Sequence, residues 1–143
     1  MPADYRIDRP RGLVISCGWG IVSDQDLLGH ARALARDPAF KPSMNQVYDF
    51  RDVVDQDIGG ATVLELANLS PFGPGARRAI IVRGDAAFGM ARMFQILRDR
   101  ARDEIQVYRE LEAALAWLEL ADAVVDVTAT LAAIRAASGE PRP

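Results

Sequence analysis

Four consecutive apolar residues, 79–82, stand between arginines in the middle of the chain. An uninterrupted apolar run of this length indicates a central strand of a parallel sheet, because helices cover both faces of such a strand. Other strand-forming runs precede and follow it, and helical patterns separate them. This order predicts an α/β fold with a mostly parallel sheet of about five strands, right-handed crossovers and helices packed on the sheet.

The flanking patterns divide the chain into predicted elements. The proline and glycine of segment 9–12 suit a tight turn, so the strands on either side form an opening hairpin whose first strand is antiparallel. Ser23 and Asp26 have the spacing of a capping box, which starts a helix that stops before Pro38. The later elements are a strand at 47–50, an acidic loop at 51–57, a helix at 59–69, a linker at 70–75, the strand at 79–82, a helix at 85–102, a strand at 105–108 and a helix at 110–120.

The length of 143 residues, with 50% apolar content, suits one domain with its own core and is too short for two ordinary ones. We place an α/β domain at 1–120 and a helical extension with a short disordered tail at 121–143. The extension is predicted from apolar residues at helical spacing, which are Val124, Val127, Leu131 and Ile134. We expect its helix to cover the second face of the helix at 110–120, in its own chain or in a symmetry mate.

Charge and hydropathy exclude several classes of partner. The formal charge is −3, and no block of like charges supplies the basic surface that nucleic-acid binding requires. No segment approaches the roughly 20 apolar residues of a membrane span, and the first residues lack the apolar core of a signal peptide. We therefore expect a cytoplasmic protein with no nucleic-acid partner and no transmembrane segment.

Several short motifs occur in a characteristic order and spacing. They are the glycine-ended second strand with Ser23 and Asp24, the segments 37–42, 48–53 and 88–94, and the closing stretch 108–118. Together they resemble the SpoIIAA-like branch of the STAS superfamily, over about residues 5–120. The resemblance implies a fold related to anti-sigma-factor antagonists and to CRAL-TRIO lipid carriers, and it implies a regulatory or ligand-binding module.

Antagonists of that superfamily carry a phosphorylatable serine just before the second helix. The matching segment here, 55–62, contains no serine, and Thr62 is its only hydroxyl side chain. The acidic residues upstream would repel an added phosphate. Thr62 is therefore only a weak candidate, and we predict no phosphorylation site.

Catalytic and metal chemistry have few candidates in this sequence. His30 and Cys17 are the only histidine and cysteine, so a tetrahedral metal site or a Cys–His nucleophile pair would need carboxylates or another chain to contribute. We expect a partly buried structural role for His30 and an unreactive core position for Cys17. Acidic residues near the strand at 47–50 either face water or hold a hard cation. They are Asp49, Asp52, Asp55 and Asp57. Runs of charged residues more often face water than bind a metal, so we predict no metal site here. We also predict no catalytic residue and no cofactor.

Charged residues at several predicted strand ends suggest a second kind of site. Asp49 and Arg51 follow one strand, and Arg83 and Arg109 follow two others. Ligands of open parallel sheets commonly bind beyond these strand ends. The group is either a polar binding pocket or a structural ion-pair network.

Two predicted helices carry more apolar surface than one sheet can cover. The helix at 59–69, which includes Leu66, is apolar around most of its circumference, so part of it packs on the next helix or meets a partner, a ligand or a membrane. At the start of the helix at 85–102, Phe88 is predicted on the polar side beside Arg92. Phe88 is either an anchor for a partner or packed on Phe72 of the linker.

These patterns favour two functions. The first is a non-catalytic STAS-like binding module, expected to be a homodimer. It recognises a protein partner through the second predicted helix, 59–69, and the start of the third, 85–102. The alternative is a carrier or sensor of a small apolar ligand or lipid, with or without peripheral membrane contact, and with the linker at 70–75 as a hinge. The candidate binding residues are Asp49, Arg51, Leu66, Phe72, Arg83, Phe88 and Arg92.

Overall fold

The computed structural model describes residues 2–137, which form one five-stranded sheet with strands in chain order. The first strand runs antiparallel to the second, and the other neighbouring pairs are parallel. The strands are β1 (Ala3–Asp8), β2 (Leu13–Ser23), β3 (Asn45–Asp57), β4 (Arg77–Ile81) and β5 (Glu104–Tyr108). The predicted α/β fold, with its mostly parallel sheet and antiparallel first strand, is confirmed.

Helices cover both faces of this sheet. They are α1 (Asp24–Arg36), α2 (Gly60–Leu69), α3 (Asp85–Leu97), α4 (Leu111–Trp117) and α5 (Val124–Ala137). The predicted capping box starts α1: the Ser23 hydroxyl accepts from the Asp26 N–H at 3.3 Å, and the Asp26 carboxylate accepts from the Ser23 N–H at 2.8 Å. α1, α2 and α3 lie on one face, whereas α4 and α5 lie on the other.

The face under α4 and α5 is a dense apolar core. Ile15 and Trp19 of β2 point to this face and belong to one cluster with Leu115 of α4 and Ile134 of α5. Each of these four side chains exposes 2% or less of its surface. Burial of side chains of this size contributes about 1.5–3 kcal/mol each, so this face supplies much of the stability.

The opposite face of the same strands has a mixed composition. Successive strand residues point to opposite faces, so the residues between the core positions face α1, α2 and α3. Polar and apolar side chains alternate along this face: Val14 and Ser16 of β2, Gln46 and Tyr48 of β3, and Arg78 and Ile80 of β4.

The third strand is longer than predicted. The segment expected as an acidic loop, 51–57, continues β3 as a strand. β2 also continues to Ser23 and supplies the pairing partner, with Trp19 opposite Asp52 and Ser23 opposite Asp57. Two register shifts interrupt the ladder, and Gly20 at the second has φ +63°, a backbone conformation that glycine adopts without strain. The prediction of a loop was wrong because strand pairing outweighed the acidic composition.

The third and fourth helices are shorter than predicted. α3 ends at Leu97, a 3₁₀ turn follows at Asp99–Ala101, and Arg102 adopts a left-handed φ of 66°. α4 ends at Trp117 rather than near residue 120, and Glu119 has φ 62°. Left-handed backbone cannot continue an α-helix, so both chain reversals begin earlier than the apolar patterns indicate.

The C-terminal helix packs in its own chain. Val127, Leu131 and Ile134 of α5 are buried, as the helical spacing predicts. The helix lies mainly against β1 and β2, beside α4, and joins the dense core. α5 also contacts α4, but Ala113 and Ala116 on the second face of α4 stay exposed, so α5 does not cover that face as expected. The tail after residue 137 lies outside the described residues.

Candidate functional site

A cavity of about 120 Å³ lies between the sheet and the three helices α1, α2 and α3. Most of its wall is apolar. The side chains that α1, α2, α3 and the linker contribute include Leu27, Leu34, Val63, Leu66, Phe72, Met90 and Phe94. The half-buried residues Val53, Gln56 and Ile58, after the centre of β3, form its outer rim. The cavity is thus an apolar chamber on the less densely packed face.

A chain of buried polar groups crosses the sheet beneath this cavity. Arg78 Nε donates to Gln46 Oε1 at 3.0 Å, and Gln46 Nε2 donates to the Ser16 hydroxyl at 3.0 Å. Ser16 Oγ lies 2.9 Å from His30 Nε2. Because a guanidinium can only donate, Arg78 fixes the orientation of the Gln46 amide, and the Ser16 hydroxyl hydrogen completes the chain at His30.

His30 is neutral in this environment. Burial is the main cause, and the nearby positive charge of Arg78 adds to it; together they lower the pKa of His30 to about 3. The ring also contacts Tyr5 and Tyr48, with centroid distances of 5.3 and 4.7 Å. The expectation of a buried structural histidine agrees with this position.

The other end of the polar chain is a buried ion cluster. Asp103 accepts from Arg78 Nη1 at 3.2 Å and from Arg98 Nε at 3.1 Å, and its carboxylate is fully buried. Arg98 also donates to the backbone carbonyls of Ala67 and Phe72, at 2.9 and 3.2 Å. One carboxylate and two guanidinium groups therefore tie α2, the linker and α3 to the sheet.

Aromatic rings enclose the Arg78 guanidinium from two directions. Its Cζ lies 4.2 Å from the centroid of Phe72 and 5.1 Å from that of Phe94. Its Nη1 also donates to the Ser70 hydroxyl at 2.8 Å. Burial lowers the pKa of Arg78 to about 10, which still leaves the side chain protonated at neutral pH.

Tyr48 places a hydroxyl without a hydrogen-bond partner in the described structure at this cavity. The residue exposes 8% of its surface, and its ring stacks on Phe50 at a centroid distance of 4.2 Å. Burial raises the pKa of the Tyr48 phenol well above its ordinary value, so the hydroxyl keeps its proton. A buried hydroxyl without a partner costs about 1–3 kcal/mol, which makes it a ready donor for a bound molecule.

The structure separates the predicted binding residues. Leu66 and Phe72 line the cavity. Asp49 and Arg51 lie on the face that carries α4 and α5, where they pair with each other at 2.9 Å. The charged residues at the strand ends therefore do not form one shared pocket. Arg109 instead donates to the Asp85 carboxylate at 3.0 Å and to the Arg83 carbonyl at 2.7 Å.

The residues predicted at the start of α3 lie outside the cavity wall. Phe88 is half-buried in a cluster with Ile80 and Val82, not on an open polar side, because the first turn of α3 lies over β4. Arg109, not Arg92, lies over its ring at 4.8 Å. Phe72 contacts Phe40, at 5.0 Å, rather than Phe88. The side chains of Arg83 and Arg92 are exposed.

The remaining candidate residues are buried or form ion pairs within the fold. Burial, with the charges of Asp49 and Asp52, raises the pKa of Cys17 to about 12. Asp52 pairs with Arg135 at 3.0 Å, and Thr62 exposes 7% of its surface. Within residues 2–137 no group of three or more His, Cys, Asp or Glu side chains is arranged to hold a metal ion. None of the helices in that part of the chain is both long enough and apolar enough to cross a membrane.

Sequence reasoning missed most of the polar side of the site. The missed residues are Ser16, Gln46, Tyr48, Ser70, Arg78, Arg98 and Asp103. One signal was available: Ser16 interrupts an apolar strand, and Arg78 directly precedes the apolar run 79–82. Polar residues at such strand positions require partners inside the fold.

Comparison with known proteins bears on the fold. No protein-family model matches the sequence, and no curated protein matches it. The structure is similar to that of an uncharacterized protein from the DUF3478 family with a SpoIIAA-like fold, from Shewanella loihica PV-4. The TM-score is 0.55 and the identity 19%, over 81% of this chain and 93% of that one. The chain therefore has a SpoIIAA-like fold, as the sequence motifs implied.

Proposed function

We propose that this chain is a binding module that holds one small, mainly apolar molecule between the sheet and α1, α2 and α3. The observation that carries the proposal is the hydroxyl of Tyr48, which is buried at an apolar cavity without a partner in the described structure. Binding sites for small molecules combine apolar walls with a few convergent polar groups, and this cavity has both.

The size of the cavity limits the ligand. An engineered cavity of about 150 Å³ binds benzene, whereas drug-sized ligands occupy roughly 300–1,000 Å³. A chamber of about 120 Å³ therefore suits one aromatic ring or a short acyl chain rather than a whole lipid. The ligand enters between Val53, Gln56 and Ile58 in this proposal, because these rim residues are half-buried.

The linker at 70–75 does not act as the hinge in this proposal. Its Phe72 carbonyl accepts from Arg98, the Gly73 N–H donates to Pro42 at 2.9 Å, and the Gly75 N–H donates to Arg102 at 3.0 Å. Opening there would break several hydrogen bonds, each worth about 0.5–1.5 kcal/mol.

A titration followed by amide NMR tests the proposal, with toluene and benzoate as probes. We expect saturable shifts for residues around the cavity with at least one probe. Ala91→Leu fills the cavity from α3 and should weaken binding at least tenfold, whereas Ala86→Leu, an exposed site on the same helix, should leave it unchanged. Ala31→Leu fills the cavity from α1 if Ala91→Leu does not fold. Saturable binding by neither probe, or binding that survives filling, would contradict the proposal.

A second candidate function is recognition of a protein partner, including a second copy of the chain, through α2 and α3. Several large apolar residues of these helices are exposed: Leu64 at 49%, Leu69 at 39%, Ile96 at 70% and Leu97 at 40%. Exposed apolar patches of this kind occur at protein interfaces. Sedimentation equilibrium of the wild type and of Leu64→Ser with Ile96→Ser tests self-association; a monomer at every concentration removes the homodimer.

A further inference from the structure

Charge is unevenly distributed around the proposed ligand cavity. Of the described residues that line it, Arg78 is the only one charged at neutral pH, since His30 is neutral there. The other polar lining groups are the uncharged side chains of Gln46, Tyr48, Gln56 and Ser70. The described wall of the cavity therefore contains one cationic group and no acidic group.

The buried ion cluster beside the cavity is also out of balance. Arg78 and Arg98 share one carboxylate, that of Asp103, so the three groups together carry one net positive charge. Of the acidic groups on α1 and α2, Asp26 accepts from the Ser23 N–H, although its charge still acts on Tyr48, and Glu65 pairs with Arg32 at 3.5 Å. Since burial of an unbalanced charge is costly, an anion that entered the cavity would gain the missing counter-charge interaction.

Two sets of donors are available to such an anion. The hydrogen bonds of Arg78 to Gln46, Ser70 and Asp103 use Nε and Nη1, and its Nη2 takes no part in them. The Tyr48 hydroxyl has no partner in the described structure. Gln46 pairs with Arg78 and Tyr48 pairs with Ile80, so Tyr48 and Arg78 are diagonal neighbours on the same face of the sheet, and both line the cavity. A guanidinium and a phenol suit the two oxygens of a carboxylate.

We infer that the ligand is a small organic monoanion, an aromatic or short-chain monocarboxylate whose carboxylate meets Arg78 and Tyr48 while its apolar part fills the cavity. This inference rests on the proposed function and adds the chemical class of the ligand to it. The inference depends on charge balance, because the ligand's carboxylate would neutralise the net positive charge of the buried ion cluster. The apolar wall would favour an aromatic ring or a short acyl chain.

Calorimetric titration with benzoate and with nitrobenzene, its neutral isostere, tests the inference. We expect benzoate to bind at least tenfold more tightly than nitrobenzene. Equal affinities would overturn the inference and leave the proposed function standing. Binding of neither probe would overturn the inference, and the absence of toluene binding as well would overturn the proposed function. Ala86→Leu is the control and should bind benzoate like the wild type. If Ala91→Leu also binds benzoate as tightly, the anion lies outside the cavity and the inference is overturned.

A matched pair of tyrosine variants assigns the anion contact. Tyr48→Phe removes the hydroxyl and keeps the ring, so benzoate binding should weaken about threefold to tenfold while nitrobenzene binding stays the same. Tyr108→Phe makes the same change on the face with α4 and α5 and should alter neither affinity. An equal loss of both probes in Tyr48→Phe would show a change of shape rather than of anion recognition, which contradicts the inference.

Discussion

The two faces of the sheet are built from the same strands and differ in what they bury. Toward α4 and α5 the strands present side chains such as Ile15 and Trp19, which pack with Leu115 in one apolar cluster. Toward α1, α2 and α3 they present Ser16, Gln46, Tyr48 and Arg78, which form a polar floor under a cavity. The difference shows that one face is packed with apolar side chains and that the other leaves a cavity above a polar floor.

Removal of the shared carboxylate should have the largest effect on the free energy of unfolding. Asp103→Asn keeps the side-chain shape but leaves two buried guanidinium groups without their counter-charge, which should cost about 3–5 kcal/mol. Asp99→Asn, at an exposed position nearby, should change stability by less than about 0.5 kcal/mol. Urea unfolding monitored by circular dichroism measures both. Similar losses of stability in the two variants would mean that the buried ion cluster does not stabilise the cavity face.

Leucine truncation on each face compares the packing directly. Leu115→Ala removes a fully buried side chain and should cost about 3 kcal/mol. Leu66→Ala, at the half-buried cavity wall, should cost only about 1 kcal/mol, because its side chain is already next to empty space. The same urea experiment measures both. Equal losses would show that the two faces are equally well packed.

The only histidine provides a pH test of the polar floor. The pKa of His30 is about 3 in the fold and about 6.5 when unfolded, so below pH 6.5 the unfolded chain binds a proton that the fold excludes. Stability should therefore fall as pH drops from 6.5 toward 3, by up to about 1.4 kcal/mol per pH unit. Urea unfolding between pH 7 and pH 5 measures the slope. His30→Asn should reduce it, and an unchanged slope in that variant would place its origin elsewhere.

The smallest effect on stability should come from the unpaired hydroxyl. Tyr48→Phe removes a buried group that has no partner in the described structure, so the free energy of unfolding should stay the same or rise by up to about 1 kcal/mol. The thermal midpoint without ligand checks this. A loss of more than about 1 kcal/mol would show that the hydroxyl is satisfied in the empty protein, and it would weaken the contrast between the faces.

The sequence predicted the fold better than the site, for a physical reason. The apolar run 79–82 and the capping box at Ser23 are local signals, and each produced the expected element. The site depends on which strand residues share a face and a register. Gln46 and Arg78 are neighbours across two strands, and Asp103 approaches them from before β5. No local pattern contains that alignment.

The apolar excess of the second helix was the informative exception. Its apolar circumference indicated that the sheet alone would not cover it, and Leu66 lines the cavity while Leu64 remains exposed. Phe88 shows the limit of the same reasoning. Its position on the polar side of α3 suggested an exposed anchor for a partner. In the structure, the guanidinium of Arg109, which follows β5, covers the Phe88 ring.

Intermolecular NOEs between benzoate and the methyl groups of the protein test the central comparison most directly. If the face under α1, α2 and α3 is the binding face, the ring protons should show NOEs to the methyls of Leu66 and Met90. They should show none to those of Leu115 and Ile134 in the dense core. NOEs confined to the dense core, or to the exposed methyls of Leu64 and Ile96, would contradict the account.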